Sequence, residues 1–216
     1  DIQEMKKLLM DLIDRHCAKK ITYNDTPIYV ILDGGEYEEL HILYIEYFMV
    51  VLDGYTVSID LEYNNRKAVL FQIKYSDVIW VFEIEKCPTL KPYIIDNILT
   101  NRKIKKIFHG SDGMDIPFIY DYIADSSKIS NFTSTIIDTF FMCDFYRRKF
   151  CVSKFSCSLY ECLLNFEAID KKIYDYLMDD IFNKIDKHYG KFYRVNWSAK
   201  TIRRYPPLLG YAFYDV

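Results

Sequence analysis

Two carboxylates sit two residues apart in the stretch TVSIDLEYNN, residues 56–65. Val57 and Ile59 are β-branched and Leu61 is apolar, so the stretch reads as a strand. Residues two apart on a strand share a face, so Asp60 and Glu62 project side by side. Like charges that close repel, and a packed domain strips away their hydration. A lysine or arginine would offset that cost. A divalent cation would exploit it, because hard cations seek clustered oxygens.

Two further acids carry the same double reading. In IFHGSDGMDIPFI (107–119), Asp115 stands at the start of a helix, just after a strand and a glycine-containing loop. An acid there also complements the helix dipole, an ordinary structural role. In LLGYAFYDV (208–216), Tyr211 and Asp215 are four apart. On a helix they share a face one turn apart, presenting a phenol and a carboxylate together. In a chain with 20 tyrosines, that pair alone is as well read as a surface acid beside a half-buried ring.

These side chains need a scaffold, and 216 residues suffice for one substantial core. Half the residues are hydrophobic and 27% charged, a globular profile. There is no run of about 18 uncharged apolar residues and no visible signal peptide, so no membrane span and an intracellular setting are expected. Six cysteines (Cys17, Cys87, Cys143, Cys151, Cys157, Cys162) form no CxxC pair, and the four histidines are scattered. Reduced core thiols are therefore expected rather than a Cys/His metal site. The net charge of −3 gives no general case for nucleic acid. Basic clusters at 101–106, 147–149 and 203–204 each read as readily as solvated faces.

Hydrophobic periodicity predicts a helix over 3–20, a strand over 27–32, a DGG turn and a core helix over 36–53. Strands at 56–62, 68–75 and 78–84 then form an antiparallel meander that begins with the paired acids. Helix and strand alternate from there: helix 89–101, strand 106–109, helix 115–125, strand 134–139 and helix 139–148. Residues 156–188 are helical in period, YRVNW is irregular, and a last helix begins near Tyr205. The expected architecture is one α/β domain over 28–216, a mixed sheet flanked by helices, behind an N-terminal helical extension over 1–27.

Taken in order, Asp-x-Glu on an early strand, Asp after a strand-to-helix turn and Tyr-x-x-x-Asp on a late helix resemble a known pattern. It is that of the DEDD superfamily of 3′–5′ exonucleases, in its tyrosine-bearing branch, and most of all the RNase D group. The intervening text is also similar: SIDLEY followed by AVLFQIKYSDVIWVFEI with Gln72 in its QI, KKIFHGSDGMDIPFIYDYI, IIDTFFM, CSLYECLLNF and RYPPLLGYAFYDV. The resemblance covers roughly residues 28–216, and three motifs in order are a specific signal. The second motif carries one extra residue, which makes Asp112 a rival to Asp115. Residues 167–193 fit poorly and read as an insertion. The family's last helix continues past the end of this chain, so a missing C-terminal part is expected.

The resemblance implies an RNase H-like mixed sheet, with the three-strand meander followed by parallel strands. It implies that Asp60, Glu62, Asp115 and Asp215 hold two divalent ions, Mg²⁺ or Mn²⁺, about 3.5–4 Å apart. Tyr211 would orient the attacking water, and a nucleic acid would lose nucleoside 5′-monophosphates from a single-stranded 3′ end. RNA is favoured over DNA, and no protein partner is specified. His109, Tyr63 and Phe118 would touch the terminal nucleotides, whereas Asp138 would cap the next helix. The alternatives are a DNA exonuclease and an inactive exonuclease fold that binds RNA or protein.

Overall fold

Strand alternation decides which way the acids face. In the computed structural model, Val57, Ile59 and Leu61 are buried on one side of a strand, Thr56–Asn64, and Asp60 and Glu62 lie on the other. The structure describes residues 2–15, 18–23, 26–52, 55–75, 78–123 and 125–216. Its strands are β1 (Ala18–Tyr23), β2 (Thr26–Asp33), β3 (Thr56–Asn64), β4 (Lys67–Tyr75), β5 (Val78–Glu83), β6 (Lys105–Phe108) and β7 (Ile136–Asp138). They form a seven-stranded sheet in the order β1-β2-β5-β4-β3-β6-β7. The meander β3-β4-β5 is antiparallel, and β6 and β7 continue from β3 in parallel. This is the RNase H-like mixed sheet that the sequence led us to expect.

The helices are α1 (Ile2–Asp14), α2 (Glu38–Leu52), α3 (Leu90–Ile94), α4 (Asp115–Tyr122), α5 (Ser126–Thr133), α6 (Thr139–Phe150), α7 (Leu159–Asn165), α8 (Lys171–Asp175), α9 (Asn183–Tyr189), α10 (Ala199–Arg204) and α11 (Pro207–Tyr214). They cover both faces of the sheet. One core joins Ile59, Leu61, Phe71 and Trp80 to α2, α3, α4 and α5. The other joins Val30, Leu70 and Val81 to the chain from Tyr160 to Phe213. No helix among the described residues is long and apolar enough to cross a membrane.

Four expectations need correction. The N-terminal helix stops at Asp14, and the extension also supplies β1, an edge strand paired antiparallel to β2. Its Ala-Lys-Lys-Ile-Thr-Tyr text was hidden because it continues the charged helical run without a breaker. Helix α5 was missed because SSKISNFT has little apolar periodicity, and the Asp125 carboxylate starts it by accepting from Ser127 N at 2.9 Å. The region 156–188 is two helical stretches separated at 166–170, the second passing through a wide π-type turn at Tyr176–Phe182. This stretch is built into the core, since Leu177, Ile181 and Ile185 bury beside α11. Finally, the thiols are not all reduced: Cys143 and Cys157 form a disulfide, whereas Cys87, Cys151 and Cys162 are free and Cys17 lies outside the described residues.

The expected DGG turn connects β2 to α2. Asp33 Oδ1 accepts from the backbone of Gly35 and Glu36 at 2.7 and 2.8 Å. Gly35 has φ +102°, and a Cβ there would come within 2.3 Å of the Lys86 carbonyl oxygen. Only glycine satisfies both constraints. Gly35→Ala is expected to lower the unfolding free energy by about 1–3 kcal/mol, seen as an earlier urea midpoint.

Candidate active site

The acids of β3 are held by a neutral donor. Gln72 lies directly across the ladder from Asp60, and its Nε2 donates to Asp60 Oδ2 at 3.1 Å and Glu62 Oε1 at 3.2 Å. The register then shifts between Glu62 and Tyr63, where β4 carries one extra residue. Such bulges re-aim side chains. Here Tyr63 donates from its hydroxyl to Asp115 Oδ1 at 2.8 Å, tying β3 to the start of α4.

Asp215 arrives from the other end of the chain. Helix α11 opens at a proline pair, tolerated in a first turn, and buries Leu208, Leu209, Tyr211, Ala212 and Phe213 against the sheet. Lys74 of β4 clasps it by donating from Nζ to the Phe213 carbonyl at 3.1 Å, with its charge over the Phe213 ring. Burial lowers the Lys74 ammonium to about 8. The spacing of Tyr211 and Asp215 works as its periodicity promised: the phenol donates to Asp215 Oδ2 at 2.7 Å. A second phenol, Tyr160 of α7, donates to Oδ1 at 3.2 Å. Tyr160 lies inside the CSLYECLLNF text, but no spacing rule relates it to the acids.

Ligand oxygens of Asp60, Glu62 and Asp215 lie within 4.8 Å of one another. Among the described residues, no lysine or arginine pairs with these three or with Asp115. Burial and mutual repulsion push Asp60 and Glu62 well above the usual carboxylate range. Burial also raises Asp215, which shares a hydrogen bond with Asp60. Asp115 rises from 3.8 to about 6, mainly through burial, and its charge is felt by both Asp60 and Glu62. Asp112 stays exposed on the loop. A hard oxygen set without its own counter-charge fits a divalent cation.

Beside the cluster is a cavity of about 400 Å³, lined by Asp60, Asp215, His109, Thr139, Leu163 and Tyr214 among others. His109 gives this cavity a wall, and both of its ring nitrogens are already engaged. Nε2 donates to the Cys157 carbonyl at 2.9 Å, and Nδ1 lies 2.8 Å from Thr139 Oγ1. Asp138 accepts from the backbone of Gly110, Ser111 and Phe140, so it both clasps the loop and caps α6. Phe118 is half-buried with its ring edge-on to Tyr63 and Tyr122, whereas Phe108 is buried in the core.

No protein-family model matches the chain. A stretch of 115 residues is 36% identical to an uncharacterized protein of Acanthamoeba polyphaga mimivirus, covering 49% of this chain and 23% of the viral protein. The match thus spans under a quarter of that relative. Among solved structures, the catalytic core of RRP6 from Trypanosoma brucei is similar at TM-score 0.43 and 15% identity, over 90% of this chain and 52% of that one. The Aedes aegypti Nibbler EXO domain gives 0.43 and 11%, over 81% and 94%. The EXD2 exonuclease domain soaked in Mg and GMP gives 0.35 and 18%, over 81% and 93%. The present chain spans about half the length of the trypanosome structure.

The raised carboxyls fix a sign for stability. A folded value above the unfolded one means that the native chain binds more protons, so stability falls as pH rises through that value. For Asp115, metal-free protein in chelator should lose stability as pH rises through about 6. Asp115→Asn keeps an acceptor for Tyr63 and removes the charge. At pH 8 in chelator it should stabilise the fold by about 1–3 kcal/mol, with the difference from the parent vanishing near pH 4. Urea melts across that range measure it.

Proposed function

We propose that the chain is a divalent-metal-dependent 3′–5′ exonuclease that shortens single-stranded nucleic acid, RNA in preference to DNA, and releases nucleoside 5′-monophosphates. The observation that supports this reading most is the convergence of Asp60, Glu62 and Asp215, supplied by distant parts of the sequence, with no basic side chain among the described residues to neutralise them. In the two-metal form of this chemistry Asp60, Glu62, Asp115 and Asp215 would hold Mg²⁺ or Mn²⁺. When bound, the ions supply an activated water at neutral pH and stabilise charge on the departing 3′ oxygen.

The protein's own groups do the positioning. The Gln72 amide donates to one oxygen of each β3 carboxylate and so ties the two together. The Tyr211 phenol is pushed well above its ordinary value by burial and by Asp215, so it stays protonated. Its proton goes to Asp215 Oδ2, so the phenol would position the attacking water with its oxygen, or by turning that proton to the water, rather than act as a base. Tyr160 holds the opposite oxygen of Asp215 and fixes the plane of that carboxylate. Tyr63 and Phe118 would form an aromatic wall for a terminal base, and His109 would line the cavity beside it. An intracellular location goes with this reading.

The test uses matched RNA and DNA oligonucleotides labelled at the 5′ end. With Mn²⁺ or Mg²⁺ the expected product is a ladder shortening from the 3′ end, faster on RNA, absent in chelator and blocked by a 3′-phosphate. Asp60→Ala/Glu62→Ala should reduce the rate at least about 1,000-fold and abolish Mn²⁺ binding in calorimetry, and Tyr211→Phe should slow cleavage about 10- to 1,000-fold. Equal Mn²⁺ binding by parent and double variant would defeat the proposal.

A further inference from the structure

The three basic clusters of the sequence have different fates. In the first, Lys106 is fully buried, with Nζ donating to the Asn101 carbonyl and Thr135 Oγ1, and the exposed Arg102, Lys103 and Lys105 have no exposed rings among them in the sequence. In the third, Arg203 is committed to the Leu32 carbonyl and Glu36. The second, Arg147-Arg148-Lys149, lies on the last turn of α6 amid exposed rings. Phe145 is 65% and Phe150 57% exposed, and Phe141, Tyr146 and Phe166 are exposed beside them. Single apolar side chains on a surface are ordinary, but a contiguous aromatic patch is not.

The rings form two groups, one of which reaches the cavity. His109, in the cavity wall, meets Phe140 edge-on at 5.9 Å, and Phe140 meets Phe141 at 5.5 Å. Farther along, Tyr146 touches Phe150 at 4.9 Å and Phe166 at 5.4 Å. Lys149 lies over both Phe145 and Phe150, at 5.7 and 5.5 Å from their centroids. Between Thr139 and Ser158 there are four cations and one acid, Asp144, which pairs with Arg148. In a chain of net charge −3, this is a local excess of positive charge.

We propose that the exposed face of α6 is a binding platform for a single-stranded polynucleotide, whose bases stack on Phe145, Phe150 and their neighbours and whose phosphates meet Arg147, Arg148 and Lys149. Rings interleaved with cations suit a polyanion with exposed π faces, where stacking is tolerant of sequence and the phosphates add a salt-dependent attraction. Because α6 starts at Thr139 in the cavity wall and is about 18 Å long, the platform would lead a strand toward the acidic cluster. That direction rests on the exonuclease reading, whereas the binding itself does not.

The test measures fluorescence anisotropy of labelled 12-nucleotide oligouridylate and oligothymidylate with the full chain in chelator, where hydrolysis is prevented. The two oligonucleotides distinguish RNA from DNA as the source of the ligand. Phe145→Ala/Phe150→Ala should weaken binding about tenfold or more with an unchanged melt, since both rings are exposed. Arg148→Glu/Lys149→Glu should weaken it and reduce the slope of log K against log salt by about 1.4 or more. Parent-like binding by both face variants overturns the proposal, as does equal affinity for a blunt duplex. Sedimentation showing a parent dimer that Phe145→Ala/Phe150→Ala dissolves overturns it too, by making the face a contact between copies. Face-dependent binding without cleavage under Mn²⁺ supports the platform and overturns the exonuclease reading alone.

Discussion

Repulsion among three carboxylates is the constraint around which this molecule is arranged. Asp60, Glu62 and Asp215 would separate if their supports were soft. Instead each is held by a neutral donor carried on a packed element: Gln72 for the pair on β3, and Tyr211 and Tyr160 for the acid after α11. Neutral donors fix geometry without cancelling charge. A lysine in place of Gln72 would make the fold more comfortable and the pocket useless to a cation.

The scaffold serves that arrangement at longer range. Alternation along β3 puts Ile59 and Leu61 into one core and Asp60 and Glu62 toward the other, so the strand anchors itself with one face and displays with the other. The Asn64 side chain exchanges two hydrogen bonds with the Trp197 backbone, at 2.8 and 2.9 Å, fixing the end of β3 to the segment that leads into α10 and α11. The late helices thus reach the acids along a defined path, and Lys74 completes the attachment.

Much of this could be read in the sequence because it follows local rules. Period-two spacing put Asp60 and Glu62 on one face, a four-residue interval put Tyr211 against Asp215, and the alternation of strands with helices gave the sheet its mixed character. What escaped depended on contacts with no local signature. Tyr160 reaches Asp215 across 55 residues, and nothing in its surroundings distinguishes it from nineteen other tyrosines. The inertness of both His109 nitrogens depends on the Cys157 carbonyl, 48 residues away. The Cys143–Cys157 bridge was invisible for the same reason: a spacing of fourteen matches no motif, and only the fold of α6 brings the sulfurs together.

That bridge has a mechanical consequence. It closes residues 143–157 into a ring whose outer arc is the second half of α6 and whose far end, Cys157, holds His109 through its carbonyl. The helix and the histidine are therefore joined twice, once through the disulfide ring and the hydrogen bond to the Cys157 carbonyl and once through Thr139 at the helix start. The exposed helix and the rim of the acidic pocket thus belong to one cross-linked frame.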